Sequence, residues 1–183
     1  MRRIVDRHWR HAADILGGMQ RVLVLGRGGA GKSTAAVRLG HLTGLPVIEL
    51  DQYFWRSGLA PTPPAEWTRV QRESATADRW IMDGDLGPYD DPRARLGRAD
   101  TVVILDFGLT CCAWRAVRRS PERADFWWWL LTWRRRPRAV LLDAVATFAA
   151  GADVHILRTP GELCRFLSTA GGRSYGARVD SGQ

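Results

Sequence analysis

Gly26-Arg27-Gly28-Gly29-Ala30-Gly31-Lys32-Ser33-Thr34 is a complete G-x-x-x-x-G-K-[S/T] phosphate loop, and the rest of the chain is read outward from it. An apolar run, Val22-Leu23-Val24-Leu25, precedes it, and Ala35-Ala36-Val37-Arg38-Leu39 follows it with helical character. Strand, glycine turn and helix are the context in which this motif binds phosphate. The glycines let the backbone curl so that successive N–H groups face phosphate oxygens, and the positive end of the following helix adds to the attraction. Gly26, Gly28, Gly29, Ala30, Gly31 and Thr34 therefore form the expected cradle. Lys32 reaches the β- and γ-phosphates of a bound nucleotide, and the Ser33 hydroxyl completes a Mg²⁺ shell.

Composition narrows the alternatives. At 183 residues and 45% hydrophobic content, the chain is expected to form one domain with a sizeable core. No apolar run approaches the roughly 20 residues of a membrane span, and the polar start does not read as a signal peptide, so a cytoplasmic protein is expected. Cys111, Cys112 and Cys164 have neither zinc-site nor disulfide spacing and are read as packing residues. The net charge of +8 is concentrated: eight arginines between positions 115 and 138 stand against Glu122 and Asp125, which is +6 locally. A local arginine cluster beside a nucleotide site is better explained by phosphate clamping than by a duplex-tracking surface, so nucleic acid is not the expected partner. Lys32 is the only lysine. A guanine-reading N/T-K-x-D motif needs a second one, so a GTPase is excluded.

Acidic residues recur at the ends of predicted strands. The run 45–50 reads as a second strand ending in Asp51, the run 79–82 as a third ending in Asp83-Gly84-Asp85, and the run 101–105 as a fourth ending in Asp106. In an open α/β sheet, ligands bind beyond the carboxyl ends of the strands, which places these acids beside the phosphate loop. Asp51 can accept a proton from an attacking hydroxyl or hold Mg²⁺ through water, and Asp is also common in plain turns. Tyr53, Phe54 and Trp55 either wall a substrate pocket or belong to the core. Asp83 and Asp85 form a second acidic cluster available to substrate, and Asp106 resembles the metal-supporting acid of a Walker B element.

The remaining segments are read more coarsely. Residues 1–20 form a helical extension, in which His8 and His11 lack partners for a metal site. A helix over 65–77 follows Pro61-Thr62-Pro63-Pro64 and carries Arg69 and Arg72 on one face. Arg115, Arg118 and Arg119 share a helical face, with Arg123 just beyond, in a segment over 111–137 that is read as a lid. Within it, Trp127-Trp128-Trp129 and Trp133 point around most of a helix, which favours packing over nucleic-acid stacking or membrane contact. A helix over 138–149, a fifth strand over 153–157 and a helix over 162–169 complete the domain. The Gly- and Ser-rich stretch 171–183 reads as a frayed tail.

Over residues 21–170 this organisation resembles the nucleoside-monophosphate-kinase-like branch of P-loop proteins, and within it the adenylate-kinase-like FlaR or topology-modulation group. The resemblance rests on the phosphate loop, on Leu50-Asp51-Gln52-Tyr53-Phe54-Trp55, on Trp80-Ile81-Met82-Asp83-Gly84 and on the Arg115/Arg118/Arg119 helix. It implies a three-layer α/β fold, a parallel sheet of order 2-3-1-4-5, ATP on the loop, and an arginine-bearing lid. It also implies adenine near Arg158-Thr159-Pro160. Related sequences tend to carry Asn where Asp85 stands, which unsettles the usual acceptor contacts. Shikimate kinase and chloramphenicol phosphotransferase, of the same branch, use an aspartate after the second strand to bind or activate the acceptor hydroxyl, and Asp51 matches it.

The expected activity is transfer of the ATP γ-phosphoryl group to a hydroxyl of a small molecule, such as a nucleoside-like or antibiotic compound, by a monomer or homodimer. Asp51 serves as base, with Lys32, Arg115, Arg118, Arg119 and Arg123 neutralising the transferred group. Tyr53, Trp55, Asp83 and Asp85 face the acceptor. A nucleoside monophosphate kinase using Arg56, Arg69 or Arg72 is the second reading. A nucleic-acid-associated ATP-binding regulator is the third.

Overall fold

The computed structural model describes residues 18–56, 60–86, 90–119, 127, 131–133 and 137–179, with backbone alone at 119 and 171–179. Residues 1–17 of the extension read over 1–20, Arg123, and Trp128 and Trp129 lie outside the described residues. Five strands form one sheet: β1 (Arg21–Gly26), β2 (Val47–Glu49), β3 (Trp80–Asp83), β4 (Thr101–Leu105) and β5 (Asp153–Leu157). Their order is β2-β3-β1-β4-β5, and every neighbouring pair is parallel. The order implied by the family resemblance is therefore the order observed.

Helices cover both faces, as a wholly parallel sheet requires, because its crossovers place helices above and below it. The period-2 alternation of β1 divides the core in two. Val22 and Val24 pack with Ala35, Ala36 and Leu39 of α1 (Lys32–Thr43) and Leu167 of α7 (Pro160–Val179). Leu23 and Leu25 pack on the opposite face with Trp67 and Ala75 of α3 (Pro64–Ala75), Leu96 of α4 (Pro92–Leu96), and Leu141 and Val145 of α6 (Pro137–Phe148). All four β1 side chains are at most 1% exposed, so each contributes the full burial of a Val or Leu, about 1.5–3 kcal/mol. The β1 run is apolar at every position because both its faces are interior.

Parallel pairing brings the carboxyl ends of all five strands to one edge. The chain winds outward from β1 to β2, returns through β3, and crosses to β4 and β5 on the other side. The loop after β1 therefore sits where the winding reverses, the place where open α/β sheets hold ligands.

Three expectations change. The second strand is only three residues long, and Leu50–Phe54 turns instead into a short helix, α2, whose first residue, Leu50, is 2% exposed in the core. Asp51 consequently lies on the first turn of a helix and not at a strand tip. The helix read over 162–169 continues to Val179, so the stretch expected to fray is helical up to that residue. Finally, α4 had no counterpart in the reading of the sequence. Its local signal is Asp91-Pro92: the Asp91 carboxylate accepts the Arg93 N–H at 3.1 Å, and Pro92 occupies the first turn.

Candidate active site

Three glycines of the phosphate loop, Gly26, Gly29 and Gly31, have positive φ, and the first two are also hemmed in by neighbouring backbone. Gly26 has φ +136°, and a Cβ there would lie 2.4 Å from the Leu105 carbonyl oxygen. At Gly29, φ +71°, a Cβ would lie 2.5 Å from that of Cys112. The loop is thus pressed between the end of β4 and α5 (Leu109–Arg119), where no side chain fits. Beneath it, the buried Arg27 side chain donates to the Phe107 carbonyl at 3.5 Å. α1 begins directly after Gly31, and no side chain caps its N-terminus. Its first amides are left for an anion, and the helix dipole points the same way.

Lys32 and Ser33 open that helix and meet the loop after β3. Lys32 Nζ donates to the Gly26 carbonyl at 3.0 Å and lies 3.8 Å from Asp85 Oδ2. Asp85 Oδ1 in turn accepts the Gly26 N–H at 3.4 Å. The Ser33 hydroxyl is near enough to Asp83 to favour its carboxylate, and Asp83 is 5% exposed with a buried oxygen, Oδ1, that lacks a hydrogen-bond partner. This proximity follows from register, since Val24 pairs with Asp83 in adjacent strands and the phosphate loop starts two residues later.

Burial pushes both carboxyls above the ordinary range. For Asp83, the Ser33 hydroxyl and the Lys32 charge oppose that rise. For Asp85, the opposing influences are Lys32, the Gly26 amide and Arg95.

Arg95, which sequence reasoning passed over, holds this loop in place. Its side chain is fully buried. It donates to the Gly84 carbonyl at 3.1 Å and the Asp85 carbonyl at 2.8 Å, and pairs with Asp90 at 2.9 Å. Asp90 also accepts the Trp67 indole N–H at 2.9 Å. The planar five-donor fork of arginine suits this task, whereas a lysine could not span three acceptors in fixed directions.

α2 lies against the loop after β3, where a Cβ on Gly84 would come within 2.9 Å of Leu50, and the Asp51 charge acts on Asp83, Asp85 and Arg95. Asp51 is exposed. On the same helix Phe54 packs edge-on against Trp67 at 5.1 Å, and Trp55 edge-on against Phe54 at 4.8 Å. The buried Thr62 hydroxyl donates to the Tyr53 and Phe54 carbonyls at 3.0 and 2.9 Å. Phe54 belongs to the core side, while Tyr53 and Trp55 remain 55% and 48% exposed. The arginines considered for an acceptor phosphate are each paired. Arg56 bridges to Glu66, Arg69 to Glu73 at 2.9 Å, and Arg72 to Asp91 at 2.9 Å.

The other candidates are placed as follows. Asp106 is 3% exposed and accepts the Arg138 Nε–H at 2.9 Å; its partner belongs to α6, on the face opposite α1. Arg115 Nη1 donates to the Ala30 carbonyl at 2.9 Å, and its guanidinium lies 5.6 Å from the Phe107 ring centre, so it is fastened to the phosphate loop. Arg118 stacks over Trp114 at 5.0 Å. Arg119 belongs to α5. Arg158 is exposed just after β5, and its amide donates to Glu162 at 2.7 Å. Among the described residues, no three His, Cys, Asp or Glu side chains gather as a metal cage, and no helix is long and apolar enough to cross a membrane.

Comparison with solved structures agrees with this fold. The chain is similar to a sugar kinase from Janibacter sp. HTCC2649 (TM-score 0.53, 19% identity, 84% of this chain and 97% of that one). It is also similar to a gluconokinase from Sinorhizobium meliloti 1021 (0.53, 17%, 87% and 93%) and to shikimate kinase from Bacteroides thetaiotaomicron (0.51, 16%, 82% and 95%). No protein-family model and no curated protein matches the sequence.

Proposed function

We propose that this chain is an ATP-dependent phosphotransferase that moves the γ-phosphoryl group to a hydroxyl of a small molecule. The observation that carries this reading is the glycine loop with Lys32 held on the Gly26 carbonyl and beside Asp85 at the uncapped start of α1. Mg²⁺ fits there: it keeps several waters and takes one or two protein oxygens plus phosphate oxygens, so a hydroxyl and a carboxylate with a spare buried oxygen suffice. Bound, the ion would offset charge on the β- and γ-phosphates. The spare buried oxygen of Asp83, beside Ser33, favours Asp83 over Asp106 as the metal-linked acid, since Asp106 engages Arg138 on the other face.

The loop amides and Lys32 hold the polyphosphate, while Arg115 keeps α5 against the loop. The acceptor oxygen forms a bond to the γ-phosphorus, the bridging bond to the β-phosphate breaks, ADP leaves, and the hydroxyl proton passes to the Asp51 carboxylate. Arg118, Arg119 and Arg123 are the cations available to close over the transferred group, and adenine is assigned to the region of Arg158. The sugar, gluconate and shikimate kinases of similar fold support an alcohol acceptor. The likeness to the FlaR or topology-modulation group rests on the phosphate loop, the two strand-end motifs and the Arg115/Arg118/Arg119 helix.

ADP release from Mg-ATP across a panel of alcohols, sugars and nucleosides tests this reading. At least one acceptor should raise ADP release, and Lys32→Ala should abolish the rise. Release that never responds to an acceptor, together with DNA affinity that falls steeply with salt, would favour the regulator reading instead.

A further inference from the structure

The acceptor side of the crevice carries an excess of negative charge. Asp83 and Asp85 arrive on the β3 loop, with Glu49 and Asp51 across from them at the end of β2 and the start of α2. Lys32 is the cation that partners Asp85, and Ser33 lies beside Asp83. Among the described residues, no hydrogen bond or ion pair engages the Glu49 or Asp51 carboxylate. Four described arginines are held elsewhere. Arg95 is buried on Gly84, Asp85 and Asp90, and Arg56, Arg69 and Arg72 are bound to Glu66, Glu73 and Asp91. The segments 57–59 and 87–89, which flank the crevice in sequence, contain no ionisable group besides the Tyr89 phenol.

A second feature lies at the end of the same short helix. Tyr53 on α2 and Trp55 just past it present exposed aromatic surface on either side of Phe54, and the Thr62 hydroxyl holds the Tyr53 and Phe54 carbonyls. Aromatic faces attract ammonium groups, and carboxylates without partners do so more strongly. An anionic acceptor would meet repulsion from Asp51, Asp83 and Asp85 with no unpaired described arginine on α3 to offset it.

The geometry points to an acceptor that is a cationic alcohol: an amino sugar, aminocyclitol or other hydroxylated amine. Its ammonium group sits between the Glu49 and Asp51 side of the crevice and the Tyr53 and Trp55 rings, while its hydroxyl faces the phosphate loop. This assignment rests on the phosphotransferase reading above and specifies the charge of its substrate.

The test is kcat/KM for ADP release at saturating Mg-ATP with three matched sets: hydroxylated amines, their N-acetylated counterparts, and the carboxylates gluconate and shikimate. The amines should exceed their acetylated partners by about tenfold or more, as expected for a charge-assisted contact worth about 1.4 kcal/mol. Glu49→Gln should narrow that ratio by raising KM for the amines more than for their acetylated counterparts. Equal or better turnover of acetylated or carboxylate acceptors would overturn the assignment while leaving the kinase reading intact. Failure of every amine, with Mg-ATP binding measured by calorimetry, would likewise overturn the cationic acceptor and not the phosphate loop. Absence of Mg-ATP binding would remove both.

Discussion

Asp85 is placed to compete with nucleotide, and Asp85→Asn measures that competition. Its Oδ2 lies 3.8 Å from Lys32 Nζ, and both side chains are part-buried, 22% and 16% exposed. Coulomb's law at an effective dielectric of 20 gives about 4 kcal/mol for such a pair. Solvent screening reduces this toward the ~1 kcal/mol of an exposed bridge. A polyphosphate entering the loop must draw Lys32 from this partner and also bear the repulsion of the remaining carboxylate. Replacing the carboxylate with an amide of the same shape removes both effects. Taking the smaller figure, the variant should bind Mg-ATP about fivefold more tightly. Burial raises the Asp85 carboxyl above the ordinary range, so lowering the pH neutralises it sooner than an exposed aspartate. Wild-type affinity should therefore improve on acidification, and the variant should lose that part of the response. Isothermal calorimetry of Mg-ATP binding across pH, with circular dichroism to confirm folding, reads both quantities. Unchanged or weaker binding by a folded Asp85→Asn protein would refute the competition.

Other outcomes follow from the same contacts. Arg95→Met should lower unfolding free energy by about 3–5 kcal/mol in urea titration, because it removes the guanidinium from Asp90 and two loop carbonyls; a loss under about 1 kcal/mol would mean the loop is held otherwise. Because burial raises Asp83 in the fold, the folded state binds its proton more tightly than the unfolded one. The contribution of Asp83 to stability therefore declines as pH rises from the usual carboxylate range through the folded value. Asp83→Asn should raise Tm at neutral pH, by about 2–4 °C per kcal/mol relieved, while Mg²⁺-dependent turnover drops; a lower Tm would contradict burial as the dominant influence. Asp51→Asn should reduce kcat by roughly 10²–10⁴ with Mg-ATP binding retained, and unchanged turnover would move the role of base to another carboxylate.

The sheet was legible in the sequence because its strands are locally written. The runs 22–25 and 102–105 are apolar throughout, as strands buried on both faces tend to be, and the glycine motif marks the turn between β1 and α1. The β2 end was misread because a continuous apolar run does not reveal where extended backbone gives way to helix; that break is set by Leu50 entering the core on α2. The acids at 83 and 85 were visible as a pair, but nothing in their spacing says that one meets Ser33 and the other Lys32, a distinction made by the β1–β3 register. Asp106 shows the converse, since its apolar run suggested a metal acid while its partner, Arg138, lies 32 residues along the chain. Arg95 was hidden among many arginines, and the acceptors that bury it come from a loop ten residues earlier.

Calorimetric titration of Mg-ATP into the wild-type protein and into Lys32→Ala tests the central claim most directly. The geometry of the loop predicts a single saturable site in the wild type that is lost with the lysine. Wild-type protein that takes up no Mg-ATP, or a Lys32→Ala variant that binds it equally well, would contradict the assignment of this crevice to a nucleotide.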